Sequence, residues 1–242
     1  MEKEEILSRA KKYIADEKDE RFRKEVEELV AKGDMKELED RFYQTLEFGT
    51  GGLRGVMGGG TNRMNTLEIN LATQGLANYV LKAFPEKAKD GTLSAVIAYD
   101  SRKNSDVFAE ATALILAANG IKAYLFTGLR PTPELSFAIR ELKAQTGVVV
   151  TASHNPPQYN GYKVYGEDGA QLGPEAASAV TEKINALTFT EAKLVTEEEA
   201  KASGLLHIIG NAEVDDDYIE LVKTLSIYPE VVAEAGKNLK IV

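Results

Sequence analysis

Residues 94–126 read SAVIAYDSRKNSDVFAEATALILAANGIKAYLF, and this stretch decides the fold. Its spacing of apolar residues predicts a strand over 94–99, a helix over 105–119 that ends at Gly120, and a strand over 122–126. Short apolar strands that alternate with amphipathic helices indicate crossover units and parallel strand pairing. The pattern continues with a helix over 132–142 and a strand over 147–151. We therefore predict an α/β fold: three layers, with a mixed, largely parallel sheet and helices on both faces.

Outward from this core, the segments on either side are less regular. Helical periodicity over residues 1–45 predicts an N-terminal helical extension, with Gly33 ending one helix and Asp34 capping the next. Residues 46–205 are interpreted as the main domain, and residues 206–242 as a linker and the truncated start of a second domain. In that last part we expect a helix from Asp215 to Leu225 and the opening of a strand from Lys237 to Val242.

Composition narrows the classes of function. The chain has 242 residues, a net charge of −9, 43% hydrophobic residues and no cysteine. Such a charge argues against nucleic acid and anionic membranes as partners, because both need a basic face. The lack of cysteine excludes disulfides and thiolate chemistry and fits a cytoplasmic location. We find no signal peptide and no apolar run as long as a membrane span.

The residues after the strand at 147–151 carry candidate chemistry. Thr151-Ala152-Ser153-His154-Asn155-Pro156-Pro157 begins at the carboxyl end of this strand, where open α/β sheets bind ligands. The turn residues Asn160-Gly161 are expected to bring Lys163 back towards Ser153. A hydroxyl, an imidazole and an amine gathered on one loop predict a site for group transfer.

A glycine-rich segment, Phe48 to Gly60, holds seven glycines within twelve residues. Glycine at this density favours a loop whose backbone N–H groups cradle phosphate, and Arg54 inside it is suited to clamp an anion. A structural glycine-rich loop is the alternative. The segment matches neither the P-loop nor the dinucleotide-binding pattern.

Ser153 admits three interpretations. A hydrolase triad lacks its nucleophile elbow, since no glycine lies two residues from Ser153 on either side, and His207 is the only histidine besides His154. A phosphoserine carrier would call for cationic neighbours, which Lys163, Arg54 and Arg102 could supply. A capping or turn serine is the third.

Several separated segments together resemble the α-D-phosphohexomutases, the family of phosphoglucomutase and phosphomannomutase. The segments lie within residues 42–190 and are Thr151 to Pro156, Gly51-Gly52-Leu53-Arg54-Gly55, Asp100-Ser101-Arg102, Pro131-Thr132-Pro133, and Asn160-Gly161-Tyr162-Lys163. The resemblance implies interconversion of hexose 1-phosphate and hexose 6-phosphate through a phosphoserine and a bisphosphate intermediate.

The resemblance also implies roles for individual residues. Ser153 carries the phosphoryl group, Lys163 is the general acid/base, and Arg54 holds the transferring group. His154 orients or neutralises the phosphate. The implied phosphate-binding residues are Gly51, Gly52, Arg54, Asn155 and Arg102, with Arg102 also interpreted as a support of the loop.

The family's metal site is where this sequence departs from the pattern. The family binds Mg²⁺ with an Asp-Gly-Asp-x-Asp loop of its second domain and an oxygen of the phosphoserine, and no such loop occurs here. Asp215-Asp216-Asp217 is rejected as a substitute, since adjacent residues of a helix point in different directions. Ser153, through its phosphate, is then the one implied ligand. We predict Mg²⁺ and a hexose 1,6-bisphosphate activator for the whole enzyme, little or no turnover for this chain, and a non-enzymatic phosphosugar-binding module as the alternative.

Overall fold

One mixed sheet forms the centre of the protein in the computed structural model, which describes residues 2–240. Within that range the strands are β1 (Gly52–Val56), β2 (Ser94–Tyr99), β3 (Lys122–Phe126), β4 (Thr146–Val150), β5 (Tyr159–Gly166) and β6 (Leu206–Ile209). Their order across the sheet is β1-β5-β4-β2-β3-β6. Strands β4, β2, β3 and β6 run parallel, whereas β5 and β1 add antiparallel pairs at one edge. The predicted α/β class with a mixed, largely parallel sheet is confirmed.

Helices cover both faces of this sheet. They are α1 (Lys3–Asp16), α2 (Glu20–Lys32), α3 (Met35–Phe42), α4 (Thr66–Ala83), α5 (Pro85–Asp90), α6 (Ser105–Ala118), α7 (Thr132–Glu141), α8 (Pro174–Asn185), α9 (Glu197–Ala202), α10 (Asp215–Thr224) and α11 (Pro229–Ala235). The crossover units over 94–150 lie where the periodicity predicts them, within one residue at each end. Over residues 2–240, none of the helices combines the length and hydrophobicity that a membrane crossing requires.

Successive side chains of β2 alternate between two hydrophobic cores, which explains why three layers form. Ala95 and Ile97 belong to a core shared with α4 and α6, while Val96 and Ala98 belong to a second core shared with α7. Successive residues of a strand point to opposite faces, so a strand that is apolar throughout needs a helical layer on each side.

The N-terminal helices pack on each other and then on the main domain. Their core includes Tyr13, Val26 and Phe42, and Leu67 of α4 joins it. Gly33 ends α2 with φ of 66°, and the Asp34 side chain accepts a hydrogen bond from the Glu37 N–H at 3.2 Å. These contacts match the predicted helical extension.

The structure differs from the sequence prediction at the C-terminal part of the chain. Strand β6 pairs with β3 inside the central sheet, so the sheet continues to Ile209 and not to the predicted boundary at residue 205. Residues 237–240 form a turn and coil instead of the predicted strand opening, and Ile241 and Val242 lie outside the described residues. A strand needs a neighbour to pair with, and none of the described segments pairs with 237–240.

Candidate active site

Ser153 lies in a tight loop that follows β4, with its side chain exposed. Its φ is 53°, a left-handed conformation that costs a residue with a Cβ roughly 1 kcal/mol. Two hydrogen bonds hold the loop: the Ser153 N–H donates to Thr151 Oγ1 at 2.9 Å, and the Asn155 N–H donates to the Ala152 carbonyl at 3.0 Å. The loop therefore holds Ser153 in a strained backbone conformation that these two hydrogen bonds stabilise.

Lys163 comes to Ser153 from the neighbouring strand. Strand β5 pairs antiparallel with β4, and its Lys163 Nζ donates a hydrogen bond to Ser153 Oγ at 2.8 Å. Gly161 permits this approach, because a Cβ there would lie 2.5 Å from the Thr151 carbonyl oxygen. Burial lowers the pKa of the Lys163 amine, and the positive charge of Arg54 lowers it further, against a smaller raising effect of Asp100. An amine with a lowered pKa exchanges protons more readily near neutrality.

Arg54 is brought to the same loop by β1. It lies opposite Gly161 in the β1–β5 pairing, and its guanidinium donates to Asn155 Oδ1 at 3.1 Å. Arg54 is exposed while Leu53 and Gly55 on either side are buried, so its side chain is on the face of β1 that leads to Ser153. Arg54 is thus a cation available to an anion at the serine.

The glycine-rich segment has strand β1 at its centre, and phosphate binding by Gly51 and Gly52 stays a prediction. A Cβ on Gly52 would lie 2.1 Å from the Tyr162 carbonyl oxygen, so Gly52 is required for the contact between β1 and β5. Gly51 has φ of 80° and packs against Gln171 and the backbone of Leu172. Strand packing accounts for both glycines without a ligand.

Arg102 supports the serine loop from beneath. Its guanidinium donates to the carbonyl oxygens of Ser153, Asn155, Pro156 and Tyr159 at distances of 2.7 to 3.1 Å. It also forms an ion pair with Asp100 at 3.4 Å. Arg102 thus holds the loop through its backbone carbonyls, and a contact of Arg102 with phosphate stays a prediction.

A buried polar network that the sequence analysis missed anchors both sides of the loop. Asp100 Oδ1 accepts from Ser105 Oγ at 2.8 Å, and Ser105 Oγ in turn accepts from the Asn160 amide at 3.0 Å. Asp100 directly follows β2, and its N–H donates to the carbonyl oxygen of Val150 in β4 at 3.2 Å, so the carboxyl ends of these two strands are also tied together. The polar Asp-Ser-Arg run directly after an apolar strand was the available signal for this network.

Neither histidine reaches Ser153. His154 is exposed, and its ring makes no hydrogen bond within residues 2–240. His207 lies on β6 at the far end of the sheet, where its Nε2 is 2.8 Å from the Gly204 carbonyl oxygen. The described residues thus contain no Ser-His pair of the kind that a hydrolase triad requires.

The described residues do not by themselves fit a metal ion. No group of three or more His, Cys, Asp or Glu residues within 2–240 is arranged to hold one. Asp215, from the acidic run, instead forms an ion pair with Arg130 at 2.5 Å.

Residues 45–191 match the family described as phosphoglucomutase/phosphomannomutase, alpha/beta/alpha domain I. The chain belongs to the phosphoglucomutase/phosphomannomutase family. A phosphoglucomutase of Staphylococcus epidermidis is 40% identical over 193 residues, which cover 78% of this chain and 33% of that protein. A human phosphopentomutase is 36% identical over 212 residues, or 85% of this chain and 34% of that protein. A phosphoribomutase of Saccharomyces cerevisiae is 43% identical over 178 residues, or 70% of this chain and 27% of that protein.

Solved structures agree with this family assignment. A putative phosphomannomutase from Thermus thermophilus aligns with a TM-score of 0.52 at 35% identity, over 58% of this chain and 30% of that one. A phosphoglucomutase/phosphomannomutase family protein from Burkholderia thailandensis aligns with a TM-score of 0.55 over 74% of this chain and 35% of that one; at 24% identity it supports the fold alone. This member of the family spans about a third of the length of the curated relatives it matches.

Proposed function

We propose that this chain is the phosphoserine domain of a mutase that interconverts hexose 1-phosphate and hexose 6-phosphate through a bisphosphate intermediate. The observation that carries the proposal is the contact of 2.8 Å between Lys163 Nζ and Ser153 Oγ. A serine hydroxyl is a weak nucleophile, and an adjacent amine of lowered pKa activates it. Family membership supports phosphoryl transfer over other uses of such a pair.

The proposed step moves one phosphoryl group between two oxygens. When phosphoserine 153 reacts, its Oγ–P bond breaks and an O–P bond to the sugar hydroxyl forms. The Lys163 ammonium gives its proton to the departing Oγ, and the proton of the sugar hydroxyl returns to the amine. The bisphosphate then reorients within the site, and its other phosphoryl group is transferred back to Ser153. Protons and phosphoryl groups balance over the cycle.

Arg54 is proposed to hold the phosphoryl group during transfer. It is exposed and lies against Asn155, two residues beyond the serine, so an anion on Ser153 meets a guanidinium on the β1 side. Bidentate contact with phosphate is the geometry that guanidinium favours. Asn155 is proposed to orient Arg54, and exposed His154 to contact the phosphate.

Several further features are proposed on the family assignment. Hexose 1,6-bisphosphate would load Ser153, and the protein would act in the cytoplasm without nucleic-acid or membrane partners. Mg²⁺ would act through the phosphate on Ser153 with ligands outside the described residues, where it would offset phosphate charge. Residues 46–205 with β6 are proposed as the phosphoserine domain. Since the aligned residues cover only 33% and 34% of two of these relatives, we propose that this chain alone turns over little or no substrate.

Loading of the serine is the direct test. The chain is incubated with glucose 1,6-bisphosphate and its intact mass is measured, followed by mapping of the modified peptide. We expect one phosphoryl group at position 153 in the wild type and none in Ser153→Ala. Ser101→Ala, which changes an exposed serine nearby, is the matched control and should load normally.

Other results would count against the proposal. A phosphoryl group that persists in Ser153→Ala would refute the relay. Tight binding of glucose 1-phosphate that does not change in Ser153→Ala, together with no loading, would support the non-enzymatic module. A mutase assay with glucose 1-phosphate, Mg²⁺ and bisphosphate tests the low turnover separately, and ribose 1-phosphate serves as the pentose comparison.

A further inference from the structure

A cavity of about 610 Å³ lies on the face of β1 opposite Arg54, away from the serine loop. Leu53, whose side chain points to that face, lines it together with the loop after α3, helix α4 and the end of α8. Its size is within the range of about 300–1,000 Å³ that small-molecule sites occupy. The proposed mutase chemistry makes no use of this cavity.

One buried carboxyl group in the lining has no partner. Glu68, in the first turn of α4, is 2% exposed, and its Oε1 accepts no hydrogen bond within residues 2–240. Burial raises the pKa of this carboxyl well above its usual value, and the charge of nearby Glu17 raises it further. Glu17 itself is satisfied, because it accepts from Tyr13 Oη at 2.8 Å and from the Asp19 N–H at 2.9 Å. A buried acid without a donor is unusual in a folded protein and needs an explanation.

The surroundings of Glu68 determine which kind of ligand could bond to its carboxyl group. Glu47 and Glu68 both line the cavity, and their carboxylates repel an anion, so a sugar phosphate does not fit there. A metal ion is unsuitable too, since the described residues hold no cluster of three metal-binding side chains. The exposed Lys12 also lines the cavity, but no ion pair joins it to Glu68 in the described part of the chain. The remaining lining mixes polar and apolar residues, and Phe48 and Leu71 are among the apolar ones.

We propose that this cavity binds a small organic amine, whose ammonium group pairs with the Glu68 carboxylate and whose apolar body lies against Phe48 and Leu71. A cation at this point supplies the missing donor and neutralises the charge that burial penalises. The apolar residues of the lining supply contact area for a ring or alkyl chain. Neither the serine chemistry nor the family assignment enters this inference, so its failure would leave the proposed function intact.

The test compares three probes that differ in charge and share one ring and a similar chain: 2-phenylethylamine, 2-phenylethanol and phenylacetate. Each is titrated into the 242-residue chain, and binding is followed by calorimetry and by amide chemical shifts. We expect the amine to bind at least about tenfold more tightly than the alcohol, with shifts confined to residues around Leu71 and Thr181. Phenylacetate should not bind.

Three variants make the result decisive. Glu68→Gln should weaken amine binding at least about tenfold. Glu86→Gln, which changes an exposed carboxylate in the first turn of α5, is the matched control and should bind like the wild type. Ala72→Leu fills the cavity from the same face of α4, one turn beyond Glu68, and should abolish binding while leaving the carboxyl in place. Equal affinity for amine and alcohol, or an amine affinity unchanged in Glu68→Gln, would overturn the proposal, as would a wild type that binds none of the probes.

Discussion

Replacing Arg102 with alanine should loosen the serine loop without unfolding the sheet. Two of its four backbone contacts, to Asn155 and Tyr159, are partly buried, and the other two are exposed. We count about 1.5 kcal/mol for each partly buried bond from a charged donor and almost nothing for the exposed ones, which water replaces. The loss is then roughly 3 kcal/mol, or about a hundredfold in the equilibrium for local opening. Relief of the strained φ at Ser153 favours opening as well.

Hydrogen exchange is the assay for this prediction. The amides of Asn155 and Tyr159 are bonded within the loop, at 3.0 Å each, and should exchange about a hundredfold faster in Arg102→Ala. Amides of β2 and β4 should keep their protection. Arg102→Lys retains the charge but not the planar fork of donors, so it should recover only part of the protection.

Arg140→Ala provides the matched control, since Arg140 is exposed and donates to one backbone carbonyl, that of Ser136. It should leave exchange over residues 151–160 unchanged. If Arg102→Ala folds and its loop amides exchange at the wild-type rate, the support role assigned to Arg102 is refuted.

Three further changes test other parts of the structure. Arg54→Gln removes a charge that lowers the pKa of Lys163, so that pKa should rise, as followed by the ¹³Cε shift of Lys163 against pH; an unchanged titration would contradict the coupling. Burial raises the pKa of Glu134 from 4.5 to about 7, so its contribution to stability is complete below about pH 4.5 and is lost as the pH rises through 7. Between those values the free energy of unfolding should decline by about 3 kcal/mol. Glu134→Gln should flatten this decline, and a slope that persists in urea titrations would count against it. Gly52→Ala should cost about 3 kcal/mol or more in urea unfolding, because its Cβ would lie 2.1 Å from a backbone oxygen of β5. Gly173→Ala, with no heavy atom within 4 Å of the new Cβ, should stay within about 0.5 kcal/mol of the wild type.

Local patterns in the chain were sufficient for much of the fold. The strands β2, β3 and β4 and the helices between them follow from periodicity and from stop signals such as Gly120, which has φ of 76°. The position of Ser153 at a strand end, and the turn that returns Lys163 to it, are also local features. Such features depend on neighbours within a few residues, so the amino-acid order alone carries them.

Pairing between distant segments was decided only in three dimensions. Phe48 to Gly60 has the composition of a loop, yet its centre becomes β1 because β5 offers an edge with which it can pair, more than a hundred residues later. Arg102 has the charge of a phosphate ligand, but the loop that folds over it takes up its donors. Sequence by itself determined which elements form and which side chains could react. The tertiary structure decided their partners, because hydrogen-bonding groups are satisfied by whatever lies beside them in space.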